Sequence, residues 1–415
     1  MNEIRPILQG TGKLETLAEI ERKLLWLASW MIHHANHGHP NPDRTKIGGH
    51  QASCASVTSI MAALYFDALR PQDRVAVKPH AAPVLHAINY LLGRQSLDSI
   101  QNLRQFGGAQ AYPSRAKDGP EIDFSTGSVG LGVALTSFTA LIQDYAECHG
   151  LMQDSLPKGR SIAISGDAEL DEGNIYEAIL EGWKHGVRDV WWVVDYNRQS
   201  LDSVMPDHLF GRFEGLFRDM GWEVETLKYG RQLEATFAKP GGATLKKWID
   251  ECGNADYSAL TFQGGEAWRD ALIRDIGKNR YVRALIDPLS DAELAGLMTN
   301  LGGHDMATLT ESFAKAATTS RPTLFLAYTI KGHNMPFAGH KDNHAGLMTP
   351  DQMEDFRARL HIRTGHEWDR FEGLSNPQAA QTLIESAPYA QPLSAEGRRL
   401  TCPAIPVPPQ LPQPR

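Results

Sequence analysis

Cysteine is scarce, with four in 415 residues, and Cys54, Cys148, Cys252 and Cys402 share no paired spacing. That excludes a disulfide-stapled scaffold and a thiolate zinc module, and it predicts buried free thiols in a reducing compartment. No apolar run is long enough to cross a bilayer, and the opening MNEIRPILQGTGKLETLAEIERK has no signal-peptide core, so a cytoplasmic protein is expected. Positive charge is not in excess. Forty-one basic residues against 49 acidic ones give a formal −8, which argues against a broad nucleic-acid surface. A dinucleotide fingerprint is missing too, because the glycine-rich run 125–132, STGSVGLG, has neither a clean preceding strand nor the required spacing. What remains is ordinary globular composition, 42% hydrophobic and 22% charged. The length suits roughly two to three domain-sized masses.

The most informative stretch runs from Lys158 to Asp202. Ser161 to Ser165 reads as a strand ending at Gly166-Asp167-Ala168, and Val190 to Val194 as a strand buried on both faces. Between them Ile175, Ala178, Ile179, Gly182 and Trp183 fall on one helical face, which Gly186 terminates. Asp167 and Asn197 therefore follow two strand ends, where open parallel sheets bind ligands. A carboxylate, an amide oxygen and a main-chain carbonyl near Gln199 are the oxygen set that Mg²⁺ takes alongside a phosphate-bearing ligand. Asp and Asn are also common turn residues, so this pair alone does not decide the matter.

A helix is predicted from Leu14 to His34, leading into a loop with His33, His34, His37, His39 and His50. No second-shell carboxylate accompanies that cluster, and solvated loop histidines are expected rather than a metal site. His50 differs in standing at the start of a helix, Ser53 to Leu69. His80 lies between a strand and a helix, a place for proton transfer or for orienting a substrate oxygen. Tyr112 follows on an irregular stretch, where it could line a channel or simply pack. The turn 125–132 opens a helix and can clamp a cofactor ring with main-chain groups.

Further on, a helix is expected from Met205 to Met220, a strand from Trp222 to Leu227 and a helical insertion over about 230–305. His304 reads as a cap or loop contact. Pro322 to Thr329 is a last buried strand. The Gly-rich loop after it carries Lys331, His333, His340 and His344 and suits a mobile active-site loop. The helix from Pro350 to Leu360 should close the folded part, residues 1–372, leaving 373–415 as a linker or tail. Its last fifteen positions hold six prolines.

Taken in order, GGHQAS, VKPHAAP, STGSVGLG, GDAELDEGN, DYNRQSLD, GGHD and AYTIKGHNM with DNHAG resemble the motifs of the thiamine diphosphate-dependent transketolase and pyruvate dehydrogenase superfamily. The similarity runs from about 15 to 370, to the N-terminal, diphosphate-binding domain, nearest the homodimeric type of pyruvate dehydrogenase first component. The resemblance implies a doubly wound, mostly parallel α/β sheet with helices on both faces. It implies thiamine diphosphate and Mg²⁺ as cofactors. By the same resemblance His50, His80 and His344 face the substrate, and the Val129 carbonyl meets the aminopyrimidine ring. Gly166, Ala168 and Glu169 flank the diphosphate, while Asp167, Asn197 and the Gln199 carbonyl hold the metal.

Ala168 departs from the family glycine. The family's cofactor-activating glutamate belongs to a second, pyrimidine-binding domain that the sequence does not show, so a partner domain or subunit is expected, in a homo- or hetero-oligomer. The implied reaction is decarboxylation of a 2-oxo acid, pyruvate first, with acyl transfer to a lipoyl group on an acyltransferase. The alternatives are transketolase-type transfer of a two-carbon ketol unit and a non-catalytic, cofactor-binding regulatory subunit.

Overall fold

The computed structural model describes residues 12–43, 45–151, 158–200, 203–205 and 209–392. Cys402 and the proline-rich end lie outside them, as do Leu201, Asp202 and residues 206–208. Five segments form one parallel sheet. They are β1 (Arg74–Val77), β2 (Ser161–Gly166), β3 (Val190–Tyr196) and, after the short antiparallel hairpin of β4 (Gln199–Ser200) and β5 (Ser203–Val204), β6 (Glu223–Leu227) and β7 (Thr323–Tyr328). Their order is β1-β2-β3-β7-β6. The register pairs Gly166 with Asp195, and Asp195 with Ala327, so the C-terminal ends of β2, β3 and β7 are level.

The apolar runs are continuous because both faces of the sheet are covered. Side chains alternate with period two along each strand. Trp191, Val193 and Phe325 join one core with α1 (Gly12–His37), α2 (Gln51–Ala63), α3 (Ala82–Leu91) and, later in the chain, the helix Met306–Ala316. Trp192, Val194 and Leu326 join the opposite core. The helices of that face are, after the short α4 (Leu97–Gln101), α5 (Leu131–Cys148), α6 (Gly173–Lys184) and α7 (Leu209–Asp219). The doubly wound architecture expected from the sequence is therefore present.

The insertion is six helices from Arg231 to Met298 around a core of their own that includes Trp268, Leu272 and Ile286. Met205 precedes α7 rather than beginning it. The strand starts are pinned by a buried ion pair. Asp73, fully buried, receives the main-chain N–H of Arg160 at 2.8 Å and its guanidinium at 2.5 and 3.0 Å. Asp73→Ala would leave that cation buried without its carboxylate, and chemical denaturation should show a loss of about 3–5 kcal/mol.

Two expectations need correction. The folded part does not close at 372. A helix spans Pro377–Ser386, with proline in its first turn and the Asn376 side chain accepting from Ala379 N at 3.0 Å. Its Ala380 and Ile384 are buried in the first core, and Tyr389 beyond it meets Tyr65 edge-on at 5.1 Å. Ala380, Leu383 and Ile384 make that contact, too few positions for a visible period. Nor do the early histidines all lie on a loop, since His33, His34 and His37 belong to the first helix, with His37 exposed at its end and His39 beyond it. The first helix runs on to His37, and His33 lies against Trp30 at 5.2 Å with its ring held down to about 4 by burial first and His37 next.

Candidate cofactor and active site

Every group singled out from the sequence for chemistry lies past the C-terminal ends of the strands or at the helix start facing them. Asp167 follows β2 and is buried. Its Oδ2 accepts the Arg198 N–H at 2.7 Å and its Oδ1 the Ala168 N–H at 2.9 Å, which places the carboxylate inside the turn that carries Asn197. The Asn197 amide is oriented by neighbours. Its Nδ2 donates to Asp195 Oδ2 at 3.2 Å, and its Oδ1 accepts the Gln199 N–H at 3.1 Å. The Gln199 side chain donates to the Gly339 carbonyl at 3.0 Å, tying this turn to the loop after β7.

The organising residue is one that sequence reasoning missed. Asp195, fully buried at the end of β3, accepts from Ser56 Oγ at 2.6 Å, Lys78 Nζ at 2.5 Å and the Thr329 hydroxyl, as well as from Asn197. It thus joins the ends of β1, β3 and β7 to α2. The available signal was a single acid inside the otherwise apolar VWWVVDY. Lys78, also missed, stands two residues before His80.

Burial pushes the Asp167 carboxyl up to about 7, with the nearby Asp195 charge adding to the effect. Burial does the same to Glu169, also to about 7, and its Oε2 accepts the Gly130 N–H at 3.4 Å. Among the described residues no cationic side chain bonds to Asp167, whose charge is met by two main-chain N–H groups and by the field of Lys78. The donor set, a carboxylate plus a positioned amide oxygen, fits a hard divalent ion. Ala168 is not in the left-handed region, so its methyl group does not strain the turn.

His50, His80 and His344 come together from three separate loops. The rings of His50 and His80 stack at 4.0 Å, and His344 meets them at 5.1 and 5.2 Å. Lys331 Nζ lies 3.2 Å from His344 Nδ1, and Tyr112 is 6.0 Å from His80. His50 takes the N-cap position of α2 without capping it, which leaves its imidazole free to face the crevice. Val129 and Gly130 precede α5 at the same end, where Gly130 takes the left-handed backbone that a side chain would strain. His304 and His333 are set apart, stacked on each other at 3.7 Å, and His304 Nε2 accepts the Ile330 N–H at 2.9 Å. His340 packs on Phe262 at 4.6 Å.

Burial, followed by His344, Arg104 and two lysines, holds His50 down to about 4. Burial, followed by His50, Lys78, His344 and Lys331, holds His80 down to about 3. Both are neutral at pH 7, able to donate or accept a hydrogen bond. The folded chain then takes up fewer protons than the unfolded one below the ordinary histidine value of 6.5, so these groups make stability fall as pH drops from about 6.5 towards 4. Urea denaturation across that range should show a shallower fall in His80→Gln than in the parent.

Fold and site together define a class, an α/β domain with oxygen donors and histidines gathered at the C-terminal edge of a parallel sheet. The family described as transketolase, thiamine diphosphate binding domain, matches residues 22–240, more than half of the chain. The chain belongs to that family. It is similar to the pyruvate dehydrogenase E1 component of Escherichia coli strain K12, 29% identical over 391 residues that cover 91% of this chain and 41% of that protein. The corresponding protein of Cupriavidus necator is 27% identical over 402 residues, 92% and 43% of the two chains. Its fold is that of transketolases from Leishmania mexicana (TM-score 0.60, 14% identity, 90% and 44% covered) and Campylobacter jejuni (0.58, 18%, 91% and 46%). The chain thus spans about two fifths of the length of the curated relatives it matches. No helix among the described residues is long and apolar enough to cross a membrane.

Proposed function

We propose that this chain supplies the diphosphate-binding half of a thiamine diphosphate- and Mg²⁺-dependent active site that decarboxylates a 2-oxo acid, pyruvate first, and passes the acyl unit to a lipoyl group. The observation that carries it is the Arg198 N–H on the Asp167 carboxylate, which brings Asp167 and Asn197 into one turn. Asp167, Asn197 and the Gln199 carbonyl would hold the metal, with Gly166, Ala168 and Glu169 beside the diphosphate and the Val129 carbonyl at the ring. Bound there, thiamine diphosphate supplies a nucleophilic carbon and an electron sink for loss of CO₂. His50, His80 and His344, neutral or poised beside Lys331, hydrogen-bond the substrate oxygen and hold or move its proton. Asp195 is a positioning residue that fixes the Asn197 amide.

A pyrimidine-binding domain or subunit would complete the site, and an exposed apolar face beside it supports this. Phe138, Ile142 and Tyr145 on α5, and Tyr176, Leu180 and Trp183 on α6, each repeat at i, i+4, i+7 and stand out of the fold. The sequence similarity to pyruvate dehydrogenase E1 components supports the 2-oxo acid reading over ketol transfer, since the solved transketolases are alike at only 14–18% identity. The test is turnover by the full chain together with its completing subunit, thiamine diphosphate, Mg²⁺, pyruvate and ferricyanide as electron acceptor. CO₂ release from pyruvate supports the proposal. Turnover only with ketose phosphates overturns it.

A further inference from the structure

Beneath the metal turn, between α7 and the helical insertion, lies a second cavity of about 250 Å³. None of Asp167, Asn197, His50, His80 or His344 lines it. Its walls include the rings of Tyr196, Phe210, Tyr257 and Tyr328, with Arg198 among them. Arg198 is only 7% exposed and takes the left-handed backbone at φ 66°, uncommon for a residue with a side chain.

The charges around this cavity are unequal. Asp250 is engaged by Lys228, Lys246 and the Tyr229 hydroxyl, Glu214 by Arg218 and Thr226, and Glu251 by Lys247. Among the described residues Arg198 has no carboxylate partner. Its guanidinium lies 4.0 Å over the Tyr257 ring, Nη2 donates to the Thr329 carbonyl at 3.4 Å, and Nε is buried with no partner among the described residues. Buried cations are ordinarily paired with an anion, and a guanidinium matches a carboxylate in a planar fork. We propose that this cavity binds a small carboxylate, its charged head at Arg198 and its apolar body among the tyrosines. The volume suits the head and body of a metabolite-sized acid.

The proposal is independent of the reaction assigned to the cofactor site, because binding is read without turnover. Isothermal titration of the full chain would use benzoate, with benzyl alcohol as the uncharged analogue and inorganic phosphate as the other anion. Saturable binding of benzoate at one site is expected, with both comparison ligands weaker by at least about tenfold, the scale of one charge-assisted contact. Arg198→Gln should weaken benzoate by a similar factor. Gly211→Phe provides a second variant that leaves Arg198 in place. Gly211 lines the cavity on α7, and a Cβ there meets no atom of the described residues within 4 Å, so a ring at this position is expected to enter the space without a clash. Unchanged thermal unfolding with lost benzoate binding in Gly211→Phe supports the site even where Arg198→Gln fails to fold. Absence of saturable benzoate binding, equal binding of benzyl alcohol, binding of phosphate alone, or benzoate binding untouched by Gly211→Phe would each overturn it.

Discussion

Asp167→Ala is expected to abolish measurable binding of thiamine diphosphate with Mg²⁺, a loss of about two orders of magnitude or more, given that outer-shell partners alone are worth 10–100-fold. The carboxyl is buried against two main-chain N–H groups, and its charge has no cationic side chain bonded to it among the described residues. In the proposed site the metal is that missing cation. Removing the carboxylate takes away both a ligand and the charge that draws the ion out of water. Asn197→Ala should fall on the same scale. Asp195→Asn should cost less, because it retains the amide's neighbour but unpairs Lys78 and disturbs the orientation of Asn197. Calorimetric titration in the presence of the completing subunit reads all three. Because the proposed metal site uses the Asp167 carboxylate, and burial raises that group to about 7, affinity in the parent should weaken as pH falls below 7 by up to about tenfold per unit.

The second large effect concerns assembly. Ile142→Asp combined with Trp183→Asp should leave the chain folded, since both side chains are exposed and face away from the core, at 68% and 58%. It should nevertheless eliminate turnover with the completing subunit, by at least about a hundredfold, because two buried anchors at an interface commonly carry that much. The proposed cofactor-binding groups lie at the same edge of the sheet as Val129 and Gly130, which precede α5 on the side of that apolar face. Sedimentation with and without the partner separates lost assembly from lost chemistry. A double variant that still assembles and turns over at the parental rate contradicts this use of the face.

Much of this was legible in the residue pattern. The strand at 161 announced itself by alternating polar and small apolar residues before Gly166-Asp167, and the continuous apolar run at 190 implied a sheet covered on both faces. Asp167 and Asn197 were locatable because strand ends fix their position. Asp195 was not, since a buried acid within a strand gains its meaning from Ser56, Lys78 and Thr329, which lie 139, 117 and 134 positions away. His50, His80 and His344 could be named one by one, while their convergence depended on how the start of α2 packs against the segments that follow β1 and β7. The helix at Pro377–Ser386 was hidden because only one narrow stripe of it is apolar. The early histidines misled for the opposite reason. Polar composition suggested a loop where aromatic stacking on Trp30 holds a helix together.

The claim on which the rest depends is that a divalent ion bridges Asp167 and Asn197 to a diphosphate. It is tested most directly by a crystal structure of the chain with its completing subunit, thiamine diphosphate and Mn²⁺ in place of Mg²⁺, located by anomalous scattering. The account predicts a peak about 2.0–2.2 Å from a carboxylate oxygen of Asp167 and from the Asn197 amide oxygen, as a small hard cation requires. A peak among His50, His80 and His344, whose ligand atoms lie within 4.8 Å of one another, with none at Asp167, would contradict it.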